Sequence, residues 1–146
     1  MAEAASGDDK RLDGLKVMVV DDSKTIRRTA ESLLGRAGCV VRTAVDGFDS
    51  LHRIDEFQPD VVIIDILMPR LDGYQTTALI KHNPRFRDTP VILLSSKDSI
   101  FDKARGRIVG SEYYLTKPFT SDELLGALGA IFPDGRPLQE QAAGAA

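Results

Sequence analysis

Val61-Val62-Ile63-Ile64-Asp65 decides the fold. Four consecutive β-branched apolar residues leave no polar face, so the segment is expected to be a strand buried on both sides, and the aspartate marks its carboxyl end. The pattern recurs to either side. Val17-Met18-Val19-Val20 stops at Asp21-Asp22, and Val91-Ile92-Leu93-Leu94 stops at Ser95-Ser96. Weaker strand segments run from Val40 to Ala44 and from Tyr113 to Thr116, the second leading into Lys117-Pro118.

Helical spacing fills the intervals. Ser23 is expected to cap a helix that carries Ile26, Ala30, Leu33, Leu34 and Ala37 on one face, and Gly38 to end it. A second helix is expected over Gly47 to Phe57, with Pro59 beyond it, and a third over Tyr74 to Lys81, ended by Asn83-Pro84. A fourth spans about Ser99 to Val109, with Phe101, Ala104, Ile108 and Val109 on its packed side and Gly110 after it. The last is capped by Thr120 or Ser121, turns Leu124, Leu125, Leu128, Ile131 and Phe132 inward, and stops at Pro133. Strand and helix thus alternate about five times. Right-handed crossovers convert that order into an α/β fold, a doubly wound parallel sheet with helices on both faces. Ligands of such sheets lie outside the carboxyl ends of the strands. Asp21, Asp22, Asp65, Ser95 and Lys117 all fall at or just past those ends.

Composition narrows the class. The chain has 146 residues, 42% hydrophobic and 28% charged, which suits one globular domain with its own core. We expect residues 1–14 to be a loose tail, 15–132 the domain, and 133–146 a second loose tail. A formal net charge of -3 gives no global attraction to nucleic acid. Cys39 is the single cysteine, which excludes an intrachain disulfide. No apolar run reaches the ~18 residues that cross a bilayer, and no apolar leader is present, so a cytoplasmic protein without membrane insertion is expected.

Several carboxylates meeting at one rim cannot all ionise cheaply unless a cation sits among them. Three of them, with a backbone carbonyl and waters, suit Mg²⁺, a hard ion that shares its shell with phosphate. We expect Asp22 to bind it directly and Asp21 through water. Asp65 is then the candidate nucleophile, a carboxylate able to attack phosphorus. Lys117 would supply an ammonium and Ser95 a hydroxyl to the transferred group, whose spreading negative charge needs donors already in place.

Val19-Val20-Asp21-Asp22-Ser23, Ile64-Asp65-Ile66-Leu67-Met68-Pro69-Arg70-Leu71-Asp72-Gly73, Leu94-Ser95-Ser96 and Thr116-Lys117-Pro118-Phe119 resemble the receiver domain of bacterial response regulators. The likeness covers about Leu15 to Phe132 and implies the flavodoxin-like, CheY-like strand order 2-1-3-4-5. It implies Asp65 as the phosphorylation site. Asp22, Asp65 and the backbone carbonyl of Leu67 would hold Mg²⁺, with Asp21 in support. Ser95 and Lys117 would hold the phosphoryl group, and Tyr114 would be the aromatic that turns inward when Ser95 closes. A cis Lys117-Pro118 bond is implied too. Ser95 stands where threonine is more frequent, and Leu67 is apolar where many relatives carry a polar side chain. At finer scale, Asp22-Ser23-Lys24-Thr25-Ile26-Arg27-Arg28, Ser95-Ser96-Lys97-Asp98 and Phe101 to Ser111 resemble single-domain regulators of twitching-motility chemosensory systems. That implies a chemotaxis-type histidine kinase, or its phosphotransfer domain, as donor, and a downstream pilus-control protein as reader.

Two other classes compete. A phosphatase with an aspartate nucleophile wants a second acid two residues on, and that position is Leu67. An interaction module that never receives phosphate, or a receiver that only drains it, would keep the fold. About a dozen residues follow the last helix, so no DNA-binding output is expected. Arg105 and Arg107 are candidate partner contacts, while His52 and His82 lie on helix surfaces with no assigned role.

Overall fold

The structure, a computed structural model, describes residues 12–96 and 100–135, without the side chain of Phe101. Five strands, β1 (Lys16–Val20), β2 (Val40–Ala44), β3 (Val61–Asp65), β4 (Val91–Ser95) and β5 (Tyr113–Thr116), alternate with five helices. The helices are α1 (Lys24–Arg36), α2 (Gly47–Phe57), α3 (Gly73–His82), α4 (Ile100–Val109) and α5 (Ser121–Ile131). The strands pair in the order β2-β1-β3-β4-β5, all parallel. That is the doubly wound α/β sheet, in the order 2-1-3-4-5, expected from the sequence.

Side-chain alternation along the strands divides the core in two. Val17, Val19, Val61, Ile63, Ile92 and Leu94 face one side, where Leu33 and Leu34 of α1 and Leu124 and Leu128 of α5 cover them. Met18, Val20, Val62, Ile64, Val91 and Leu93 face the other, under Ile54 and Phe57 of α2 and Tyr74 and Ile80 of α3. Leu34, Ile63, Ile64, Leu93 and Leu128 are wholly buried, each contributing about 1.5–3 kcal/mol relative to exposure. β2 is an edge strand with Val40 exposed, which explains its weaker signal in the sequence.

The starts of α1, α2, α3 and α5 are fixed by side-chain caps. Ser23 Oγ accepts from the Ile26 amide, and Asp46 Oδ1 from the Asp49 amide. Asp72 with Gln75, and Thr120 with Glu123, form reciprocal capping boxes. Thr120, not Ser121, is therefore the cap of α5. At the opposite end of the sheet, Lys81 Nζ donates to the Thr89 carbonyl at 2.7 Å and to Glu112 Oε2 at 3.0 Å. Glu112 Oε1 also accepts from the Val91 amide at 2.8 Å, so α3, β4 and the turn before β5 are fastened together.

Three expectations change. Leu12 is 4% exposed and packs into the first core cluster, and the Gly14 amide donates to the Gly38 carbonyl at 2.9 Å. The ordered domain thus includes residues 12–14, ahead of the start expected at Leu15; an isolated leucine among polar residues carries no periodic signal. Beyond Phe132, residues 133–135 form a turn in which the Gly135 amide donates to the Phe132 carbonyl. The remainder of both expected tails, 1–11 and 136–146, lies outside the described residues. In α4, Ile108 is 83% exposed rather than packed. Gly106 is the residue facing the sheet: an added Cβ there would stand 3.0 Å from Leu93 Cδ1 and 2.9 Å from Ser111 Oγ. Two residues on, at ~100° each, Ile108 points the opposite way.

Candidate functional site

Parallel register assembles the site. Val20 pairs with Ile64, so the residue after each, Asp21 and Asp65, lie side by side where the two strands end. Asp65 pairs with Leu94, which puts Ser95 one step further along β4, and Ser95 pairs with Thr116, which brings Lys117 to the same rim. The Lys117 amide donates to the Ser95 carbonyl at 2.6 Å, and the Lys117-Pro118 bond is cis.

The side chains converge. Lys117 Nζ lies 3.1 Å from Asp65 Oδ1 and 3.5 Å from Asp21 Oδ2. Asp21, Asp22 and Asp65 each offer a carboxylate oxygen within 4.8 Å of the others. Asp65 is 3% exposed and Asp21 fully buried, while Asp22 is exposed. The Ser23 amide donates to Asp21 Oδ1 at 2.9 Å, which turns the chain after β1 so that adjacent aspartates reach one place. Ser95, 5% exposed, lines a small cleft with Ser96, Ile66, Leu67 and Asp102.

Burial raises the pKa of Asp65 above the ordinary carboxylate range, and the Asp21 charge adds to it, while Lys117 opposes the rise. Burial likewise raises Asp21, against the Ser23 amide and Lys117. Lys117 is pulled both ways: burial disfavours its ammonium, but the hydrogen bond to Asp65 and the charges of Asp21 and Asp65 win, and its pKa is raised. One ammonium thus faces three acids. A hard divalent ion bound by oxygen would balance the remaining charge, and the donor set fits Mg²⁺.

Tyr114 is half-buried at the margin of the second core cluster, and the Lys103 ammonium stands 5.7 Å from its ring centroid. Arg105 places its guanidinium over the Tyr74 ring at 4.5 Å, a contact within the fold at a residue expected to serve a partner. Leu67 is 78% exposed beside the site. Lys97, Asp98 and Ser99 lie outside the described residues. His52 and His82 are exposed, on α2 and α3, and take no part in the carboxylate group.

Sequence reasoning missed two supports. Arg27 Nη1 donates to the Asp21 carbonyl at 2.7 Å, fastening α1 to the loop that carries the acids. Gly73 opens α3 directly against the backbone of Asp65: a Cβ there would come within 2.5 Å of the Asp65 carbonyl oxygen. The Asp72-Gly73 pair was the available hint, because glycine is the residue that permits a close backbone approach.

With that geometry in view, the likenesses to known proteins fall into line. The family described as the response regulator receiver domain matches residues 17–129. Protein PilG of Pseudomonas aeruginosa is 63% identical over 130 residues, covering 89% of this chain and 96% of PilG. The crystallised chemotaxis protein CheY4 of Vibrio cholerae is 33% identical with a TM-score of 0.78, covering 81% of this chain and 98% of that one. A putative response regulator from Chloroflexus aurantiacus is 32% identical with a TM-score of 0.79, covering 82% and 98%. Together with the acids at the strand ends, these establish that the chain belongs to the response regulator receiver domain family, as a chemotaxis-type member close to PilG.

Proposed function

We propose that this protein accepts a phosphoryl group on Asp65 from the phosphohistidine of a chemotaxis-type kinase or its phosphotransfer domain. The observation that carries the reading is the buried Asp65 carboxylate at the end of β3, with Lys117 Nζ at 3.1 Å and two further acids beside it. An Asp65 oxygen attacks phosphorus, the phosphorus–nitrogen bond of the donor breaks, and the electron pair returns to the imidazole. Lys117 orients the acceptor beforehand and neutralises phosphoryl oxygen afterwards, and the Ser95 hydroxyl donates to a second oxygen. Asp22, Asp65 and the Leu67 carbonyl would hold Mg²⁺, supported by Asp21, and the ion would supply positive charge to the phosphoryl oxygens.

Phosphorylation adds about -1.5 to -2 charges at Asp65. Ser95 then moves toward the phosphate, Tyr114 turns inward, and the surface of α4, β5 and α5 changes for a reader. The likeness to PilG, with the twitching-motility resemblance of the α1 and α4 segments, supports control of type IV pilus movement by a pilus-control protein in the cytoplasm. Among the described residues no helix is long and apolar enough to cross a membrane.

The test is incubation with acetyl phosphate and Mg²⁺, followed by intact-mass analysis, and then phosphotransfer from candidate kinases. Wild type gains one phosphoryl group and Asp65→Asn gains none. A wild type that stays unmodified under both donors is an interaction module instead. Turnover of small phosphate esters would favour the phosphatase reading.

A further inference from the structure

α4 meets the rest of the fold through a close glycine approach and two cation–ring contacts, beside the packing of Val109. Its two isoleucines, Ile100 and Ile108, are 85% and 83% exposed, and among its described side chains Val109 is the large apolar one packed against the second core cluster. The close approach of Gly106 to Leu93 lets the helix lie near the sheet without a large side chain between them. Two cations on opposite flanks then reach aromatic rings. Arg105 lies over Tyr74 of α3 at 4.5 Å, and the Tyr74 hydroxyl donates to the Asp102 carbonyl at 3.2 Å. Lys103 lies over Tyr114 of β5 at 5.7 Å. The helical geometry accounts for the division: residues 103 and 105 are two positions apart, ~200° around the axis, so they leave the helix on opposite sides.

The two rings differ in freedom. Tyr74 is 5% exposed inside the second core cluster and is fixed by packing, so the Arg105 contact ties α4 to a stationary partner. Tyr114 is only half-buried, at the margin of that cluster.

We infer that Lys103 is a positioning residue for the switch, holding Tyr114 in its half-buried position and opposing full burial of the ring. This rests on the proposed switch of Tyr114. A cation over a ring gains only while the two stay together, and an ammonium resists being drawn into an apolar cluster. Complete burial of Tyr114 therefore separates the pair, and phosphorylation works against that loss. Removing the ammonium shifts the equilibrium toward the inward ring even without phosphate, by about two- to five-fold, the value of one partly exposed cation–π contact.

The experiment uses the full chain labelled with 3-fluorotyrosine and followed by ¹⁹F NMR, with and without beryllofluoride and Mg²⁺. Assignment of the three tyrosines comes from Tyr74→Phe and Tyr113→Phe. In Lys103→Met without beryllofluoride, the Tyr114 signal is expected to move toward its beryllofluoride-bound position, with the inward population raised about two- to five-fold. Lys103→Arg, which keeps a cation over the ring, should restore the wild-type spectrum. Arg107→Gln removes a charge from the same helix, over no ring among the described residues, and should leave the spectrum unchanged. An inward population in Lys103→Met equal to wild type, with Tyr114 moving normally on beryllofluoride, overturns the role of Lys103 alone. A wild-type Tyr114 that beryllofluoride does not move overturns the switch reading and this inference with it.

Discussion

Asp65→Asn is expected to stabilise the metal-free protein while abolishing phosphorylation. Asp21 and Asp22 each offer an oxygen no more than 4.8 Å from one on Asp65. At an effective dielectric constant of about 20, a like-charge pair at 4.8 Å costs about 3.5 kcal/mol. Solvent around exposed Asp22 screens roughly half of its share, so the two repulsions total about 5 kcal/mol. The attraction of Lys117 at 3.1 Å returns about 5 kcal/mol on the same scale. The charges nearly cancel, and what remains is the burial of a carboxylate, about 1–3 kcal/mol. Burial is also the leading cause of the raised Asp65 pKa. Asparagine keeps the shape and loses the charge, so in EDTA the variant should gain about 2 kcal/mol, or about 6 °C in Tm. Urea unfolding of both proteins measures it. The pH dependence has a definite sign. An acid whose folded pKa lies above its unfolded value binds more protons when folded, so wild-type stability falls as pH rises through that interval. Asp65→Asn lacks Asp65's share of this fall and keeps the share of buried Asp21. Mg²⁺ at ten times its dissociation constant should add about 1.4 kcal/mol to wild type and little to the variant. If Asp65→Asn unfolds earlier than wild type in EDTA at neutral pH, the carboxylate is not an electrostatic burden and the reasoning fails.

Other substitutions separate scaffold from chemistry. Gly73→Ala forces a methyl group against the Asp65 carbonyl and should lower stability by about 1–3 kcal/mol and slow phosphorylation by acetyl phosphate; unchanged denaturation midpoints would refute it. Thr120→Ala removes the α5 cap and should cost about 1 kcal/mol in urea unfolding while leaving the phosphorylation rate intact. Leu67→Asn puts an amide able to hold an attacking water beside the site. Loss of the phosphoryl group, timed by mass spectrometry, should quicken about two- to ten-fold, the worth of one hydrogen bond.

The sheet could be read from four-residue apolar runs because β1, β3 and β4 are covered on both faces and carry polar residues only at their ends. Asp21, Asp65 and Ser95 were legible for the same reason: each stands where such a run breaks off, and parallel pairing aligns the breaks, while Lys117 follows the weaker β5. α4 was harder. Its apolar residues suggested one packed side, but Gly106 faces the sheet and Ile108 turns away, and glycine contributes nothing to an apolar count. Leu12 escaped as a solitary apolar residue. Lys81 and Glu112, 31 residues apart, meet only once the strands are ordered, so no local pattern announces their bond.

β3 lies at the centre of the sheet, bonded to a neighbour along each edge, with all five residues buried. β5 has a single neighbour and a half-exposed Tyr114. Amide hydrogens of Ile63 and Ile64 should therefore exchange only on global unfolding, and those of Tyr113 and Tyr114 much sooner. On the proposed reading, the atom that would receive phosphorus rides on the least deformable strand, whereas the tyrosine that would answer it sits on an edge strand freer to yield.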